Sequence, residues 1–233
     1  MDVEFHYYMN NIVAVSAGLP NDMARIVAYS SQYVDDNTLP YKVLKTDGGV
    51  YKNKISQVVS YNKSFRAMEN IITCFHFIPG FSEVSNRVDD KANYASTTAD
   101  SFLSRIIIRH AIKGKDPYLI GIASHSYADT WAHQNFIGGW HEHNSFKHFP
   151  ATIIPSIGHA DVLDKPDLVA VRWKDKRLIE PLVSNNLRFL DAACALYSEY
   201  LQLGYEPLID VELLRAYLKK IFGKECSYHN LLF

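Results

Sequence analysis

The stretch His125-Ser126-Tyr127-Ala128-Asp129-Thr130-Trp131-Ala132-His133 sets two histidines and an aspartate at successive four-residue steps. Four residues of α-helix advance by about 400°, so the three side chains drift only about 40° per step and share one face. Imidazole and carboxylate groups hold zinc at about 2.0 to 2.2 Å, whereas His125 and His133 stand roughly 12 Å apart along the axis. One ion cannot take both histidines. The spacing suits a cluster in which Asp129 bridges two ions, each completed by donors from elsewhere. The competing arrangement needs no metal: Asp129 accepts hydrogen bonds from one or both histidines in a buried polar network.

Further donors are concentrated nearby. Six of the ten histidines fall between His125 and His159. Of the four that follow the stripe, His143 and His148 read as surface residues. His141 and His159 stand close to Gly139 and Gly158, which would let the backbone approach a crowded site. His6, in Phe5-His6-Tyr7-Tyr8, and His76, in Cys74-Phe75-His76-Phe77-Ile78, sit among large apolar groups. Asp35 and Asp36 end an early helix, where carboxylates face the negative end of the helix dipole and a nearby cation would favour them. Asp36 also reads as part of a polar turn, Asp35-Asp36-Asn37-Thr38.

The elements that must position these groups are mainly helical. Asp116-Pro117 supplies an N-cap and a first-turn proline, and Gly138-Gly139 a stop, for a helix over about 117 to 137 that is apolar on most of its circumference. Other helices are expected at about 7 to 17, 21 to 35, 92 to 113, 183 to 203 and 210 to 222. Segments around 41 to 44 and 55 to 61 flank Asp47-Gly48-Gly49, which suggests a small β-hairpin. The stretch from 146 to 173 reads as a long loop. The expected fold is therefore all-α: one multi-helix domain over 1–233 around a buried metal cluster, with a hairpin insertion near 41–61.

Composition excludes several classes. The chain has 233 residues, 48% of them hydrophobic, and a net charge of −1, which gives no global field for nucleic acid or anionic membranes. No stable association with either is expected. Three widely spaced cysteines and no Cys-x-x-Cys argue against a disulfide scaffold or a thiolate zinc site. The acidic start, Met1-Asp2-Val3-Glu4, lacks the features of a secretory signal, and no apolar run could span a bilayer, so a cytoplasmic location is expected. A Gly-x-Ser-x-Gly elbow and an adjacent His-Asp pair are both absent.

These motifs resemble the zinc-dependent phospholipase C and single-strand nuclease superfamily, an all-helical group with up to three zinc ions. His125-x-x-x-Asp129, followed by His133 and then Asn135-Phe136, is similar to its central metal helix. Phe75-His76-Phe77-Ile78 is similar to its second histidine motif, and Tyr33-Val34-Asp35 to its early zinc aspartate. Closer still, Phe5-His6-Tyr7-Tyr8, Gln32-Tyr33-Val34-Asp35-Asp36 and Tyr127 through Gln134 resemble a family of uncharacterised bacterial proteins. The resemblance implies that Asp35, His76, His125 and Asp129 surround one zinc and that Asp129 also reaches a second near His6. It implies that His133 holds a third with His159 or His141 and an acid such as Asp161. Secreted members of the superfamily use a processed N-terminal amine as a ligand. Here Met1 stands only five residues before His6, so two ions are expected ahead of three.

The expected function is a zinc-dependent hydrolase of phosphoesters, small or polymeric, with Asp35 as general base as well as ligand. The alternative is a metal-stabilised or metal-sensing protein without turnover, in which every ion has a closed shell of protein ligands.

Overall fold

The computed structural model describes residues 1–58, 64–81, 83, 85–146 and 156–227. A π-helical turn, Glu4–Met9, runs into α1, Asn10–Ser16. Then come α2, Asn21–Asp36; a hairpin of β1, Lys42–Leu44, and β2, Val50–Lys52; and α3, Phe65–Phe75. After α4, Phe102–Gly114, and α5, Pro117–Ala132, a second sheet begins with β3, Val171–Lys174, and β4, Leu182–Ser184. The chain closes with α6, Asn185–Tyr200, α7, Val211–Phe222, and β5, Cys226–Ser227.

The fold is mostly helical, and the second sheet corrects the all-α expectation. β3 is its centre, antiparallel to β4 and parallel to β5, in the order β4-β3-β5. The chain bends into it through residues expected to be loop or helix: β3 takes the end of the 146–173 stretch, and β4 takes the start of the helix expected at 183. Ser184 caps α6 instead, accepting from the Leu187 amide.

α5 is the central helix. Asp116 accepts from the Tyr118 amide, with Pro117 in the first turn, as its sequence predicts. Buried residues occupy nearly every position from Ile120 to Ala132. Gly121 lets it lie against α2, since a Cβ there would stand 2.3 Å from the Val27 carbonyl oxygen and 2.6 Å from Ser30 Cβ. This close approach brings Asp35 of α2 to 3.8 Å from His125 Nε2 and Ser31 to 3.5 Å from His6 Nδ1. The helix stops at Ala132 rather than near 137, because His133 turns away to bond other backbone and Asn135 takes a φ of 68°. α4 likewise begins at Phe102 rather than 92: Asp100 has a φ of 54°, and Ser101 caps the helix through the Ser104 amide.

The main core joins Phe5, Val13, Val27, Ile108, Ile120, Tyr127, Phe189, Leu196 and Leu218. A smaller one, with Phe77, Phe136, Val162, Val171 and Trp173, lies against the second sheet. Phe136 and Trp131 are therefore core residues. The hairpin turns at Asp47-Gly48-Gly49 as expected, but its second strand is Val50–Lys52; residues 55 to 58 form no strand and 59 to 61 lie outside the described residues. α3, capped by Ser64, was not expected at all.

Candidate metal centre

Five segments deliver donors to one place: the π-helical turn brings His6, the end of α2 brings Asp35, and the C-cap of α3 brings His76. α5 and its C-cap bring His125, Asp129 and His133, and the 159–167 segment brings His159 and Asp167. The donors form three triads: His6, His125 and Asp129; Asp35, His76 and His125; and His133, His159 and Asp167. Within each, the candidate ligand atoms lie within 4.8 Å of one another.

Asp129 is fully buried and stands between the triads. Its Oδ1 lies 2.5 Å from the Met1 amine nitrogen and 3.1 Å from His6 Nε2. Its Oδ2 lies 3.2 Å from both His76 Nδ1 and His125 Nε2, and 3.7 Å from His133 Nδ1. The two oxygens thus address different partners, the division expected of a bridging carboxylate. Burial works against ionisation of Asp129, yet the Met1 ammonium, His133 and His125 hold its carboxyl well below the usual carboxylate range.

The tautomers test the fit to a cation. His133 Nδ1 lies 2.7 Å from the His76 carbonyl oxygen, His159 Nδ1 2.6 Å from that of Leu163, and His76 Nε2 2.9 Å from that of Ser56. A carbonyl only accepts, so each of these nitrogens is the N–H donor. In a neutral ring the other nitrogen then carries a lone pair. Those lone pairs face carboxylates: His133 Nε2 at 3.0 Å from Asp167 Oδ1, His159 Nε2 at 3.1 Å from Asp167 Oδ2, and His76 Nδ1 at 3.2 Å from Asp129 Oδ2. Acceptor opposite acceptor is relieved by a proton or by a shared cation. At His76 burial opposes protonation, but the bond to Asp129, the charges of Asp129 and Asp35 and the Ser56 carbonyl together outweigh it and raise the pKa. At His133 burial prevails and lowers the pKa, whereas at His159 the charge of Asp167 and the bonds to Asp167 and the Leu163 carbonyl together outweigh burial and raise it. Backbone carbonyls that orient imidazoles in this way are the usual outer shell of zinc histidines.

The remaining groups differ in exposure. His6 and His125 are fully buried and stacked at 3.8 Å. Burial, with His125 alongside, pushes the His6 pKa down to about 3. His125 Nδ1 is a buried atom with no hydrogen-bond partner. Asp35 is more open, its side chain 24% exposed, and Gln57 donates to its Oδ1 at 3.3 Å. A cavity of about 360 Å³ reaches Asp35, Asp129, His133, His159 and Asp167, with Gln57, Ile72, Phe77 and Leu163 among its walls. Gly158, at φ 51°, lets the chain pass Phe77 on its way to His159; a Cβ there would stand 2.7 Å from Phe77 Cζ.

Of the expected ligands, His6, Asp35, His76, His125, Asp129, His133 and His159 come together, and His141, Asp36 and Asp161 do not. His141 Nδ1 accepts from the His143 amide, capping the turn Glu142–Asn144. Asp36 accepts from Gln32 on the exposed side of α2, and Asp161 accepts from the Phe146 amide. The acid that completes the third triad is Asp167, which sequence reasoning missed. Its only local sign was the turn residue Pro166 before it. Gln57 was missed as well. His143 is buried rather than exposed, its carbonyl accepting from Arg87 and Arg177, and His148 lies outside the described residues.

Comparison with known proteins adds a family. Residues 1–230 match the model of a family of unknown function, DUF6765, and the chain belongs to it. No curated protein and no solved structure is similar to it. No helix among the described residues is long and apolar enough to cross a membrane.

Proposed function

We propose that the protein is a zinc-dependent hydrolase of phosphoesters, with the three triads as its metal-binding residues and Asp129 as the shared carboxylate. The observation that carries this reading is the set of imidazoles locked by backbone carbonyls with their second ring nitrogens turned on carboxylates. The resemblance of the motifs carrying His6, Asp35, His76, His125, Asp129 and His133 to the zinc-dependent superfamily supports the same reading.

Bound zinc would supply Lewis acidity, acidifying water and neutralising charge on a phosphate oxygen. The residues provide the rest. Asp35 lines the cavity beside His76 and His125 and is the acid best placed to accept a proton from water there, held by the Gln57 amide. His133, His159 and Asp167 line the same cavity. Ile72, Phe77 and Leu163 make part of its wall apolar, which favours an organic ester over a bare phosphate ion.

One observation favours the alternative for part of the cluster. His6 and His125 are fully buried and neither lines the cavity, which suits an ion held for stability rather than turnover. The deciding experiment combines elemental analysis of protein prepared without chelator with assays on bis(p-nitrophenyl) phosphate and p-nitrophenyl phosphate. Two or more zinc equivalents with chelator-sensitive hydrolysis are expected. Absence of metal after zinc titration overturns the proposal; full metal content without turnover across a wide ester panel leaves the metal-stabilised protein.

A further inference from the structure

We infer that Asn185 and Arg188, on the first turn of α6, are positioning residues for the His133–His159–Asp167 triad, an inference that rests on the metal reading above. Asp167 belongs to neither a helix nor a strand; its carboxylate meets His133, His159 and the Met1 ammonium, and the backbone that presents it has to be held by something other than its own ladder. The peptide groups around it are gripped from α6. Asn185 Nδ2 donates to the Lys165 and Leu168 carbonyls, both at 2.7 Å. Arg188 donates through one terminal nitrogen to the Pro166 carbonyl at 3.2 Å and to Asn185 Oδ1 at 2.8 Å. Its other terminal nitrogen donates to the Ala132 carbonyl at 3.1 Å.

Ala132 and Pro166 are the residues immediately before His133 and Asp167. One guanidinium thus joins the two backbones that carry two of the three donors. Asn185 and Arg188 lie three apart on one helical face, and Trp173 Nε1 donates to Asn185 Oδ1 at 3.2 Å, fixing the amide's orientation. A planar fork with several donors can span two carbonyls and an amide oxygen; a lysine ammonium on its flexible stem cannot hold that geometry. Ligands are only as well placed as the groups behind them, and loss of such support typically weakens a metal by about 10- to 100-fold.

The test titrates zinc into chelator-stripped full-length protein against a chromophoric competitor. In Arg188→Lys, one equivalent is expected to weaken by about 10- to 100-fold while the others keep wild-type affinity. His159→Ala should lose that same equivalent, and adding Arg188→Lys to it should change nothing further, the non-additivity expected of residues serving one site. Asn185→Ser, which loosens the 165–168 turn from the other side, reads the same quantity if Arg188→Lys fails to fold. A variant that titrates like wild type, or that weakens every equivalent alike, overturns the inference. A wild type that takes up no zinc removes the functional reading itself, and the inference with it.

Discussion

The Nδ1–H of His133 donates to the backbone carbonyl of His76 at 2.7 Å. This bond ties the C-cap of α5 to the C-cap of α3 and turns His133 Nε2 toward Asp167, while the ring of His76, anchored on Ser56, turns Nδ1 toward Asp129. Two triads are therefore oriented through one segment of main chain.

Metal removal should destabilise the protein. Without a cation, the carboxylates of Asp129 and Asp167 stand about 3 Å from ring nitrogens of His76, His133 and His159, and burial disfavours the proton at His133 that would replace it. An ion present at about 100 times its dissociation constant adds roughly 2.7 kcal/mol, and in a chain of this size each kcal/mol moves the melting temperature by about 2 to 4 °C. Differential scanning calorimetry should show a rise of about 5 °C or more when zinc is returned to stripped protein. An unchanged melting temperature would count against metal binding.

Asp129→Asn tests the bridge. The carboxylate faces donors of all three triads and the Met1 amine, so neutralising it removes the nearer of the two carboxylates that hold the buried Met1 ammonium, leaving Asp167 at 3.2 Å. Breaking one side of a buried ion pair costs about 3 to 5 kcal/mol. Urea unfolding should register a loss of that order, and elemental analysis should show fewer ions per chain. Wild-type metal content in this variant would refute the bridging role.

Gly121→Val tests the approach of α2 to α5. The added side chain would meet the Val27 carbonyl and Ser30, and overpacking of this kind costs about 1 to 3 kcal/mol. Because the same contact sets Asp35 against His125, zinc affinity should fall together with stability. Loss of stability with unaltered zinc affinity would separate the helix contact from the site.

How much was legible in advance follows from where each donor sits. His125, Asp129 and His133 share a helical face by period alone, and Asp116-Pro117 marks where that helix begins. His6 and His76 stood out as imidazoles in apolar company. Asp167 could not be recognised this way, because it is positioned by the side chains of Asn185 and Arg188 and by no periodic pattern of its own. The nearer Asp161 was the natural choice, yet its carboxylate serves the Phe146 amide. The second sheet escaped for a similar reason: its strands are two to four residues long, and β5 reaches β3 from the far end of the chain. Such short strands show too little alternation to be read.

Acid should unfold the protein partly through His143. Burial, with Arg87 and Arg177 close by, pushes its pKa down from the usual value near 6.5 to about 4. Between these values the unfolded chain binds a proton that the folded chain does not, so stability falls as pH drops from about 6.5 to 4 and is unaffected by this group above that range. His143→Gln, which cannot take up the proton, should flatten the pH dependence of urea stability in that window. An equally steep dependence in the variant would assign the acid sensitivity to other groups.

Gln57→Leu separates the arrangement of Asp35 from the overall integrity of the cluster. Gln57 lines the cavity and donates to Asp35 Oδ1, but it belongs to none of the three triads. Leucine nearly preserves the volume and removes the donor, leaving Asp35, among the described residues, with its own helix and the neighbouring imidazoles. If Asp35 accepts a proton from water, its orientation matters more than its charge, and outer-shell losses of this type typically cost about 10- to 100-fold. The variant should therefore keep its zinc content while kcat for phosphodiester hydrolysis falls within that range and KM changes little. A variant with full zinc and unchanged kcat would take Asp35 out of the proton-transfer role and leave it a ligand alone.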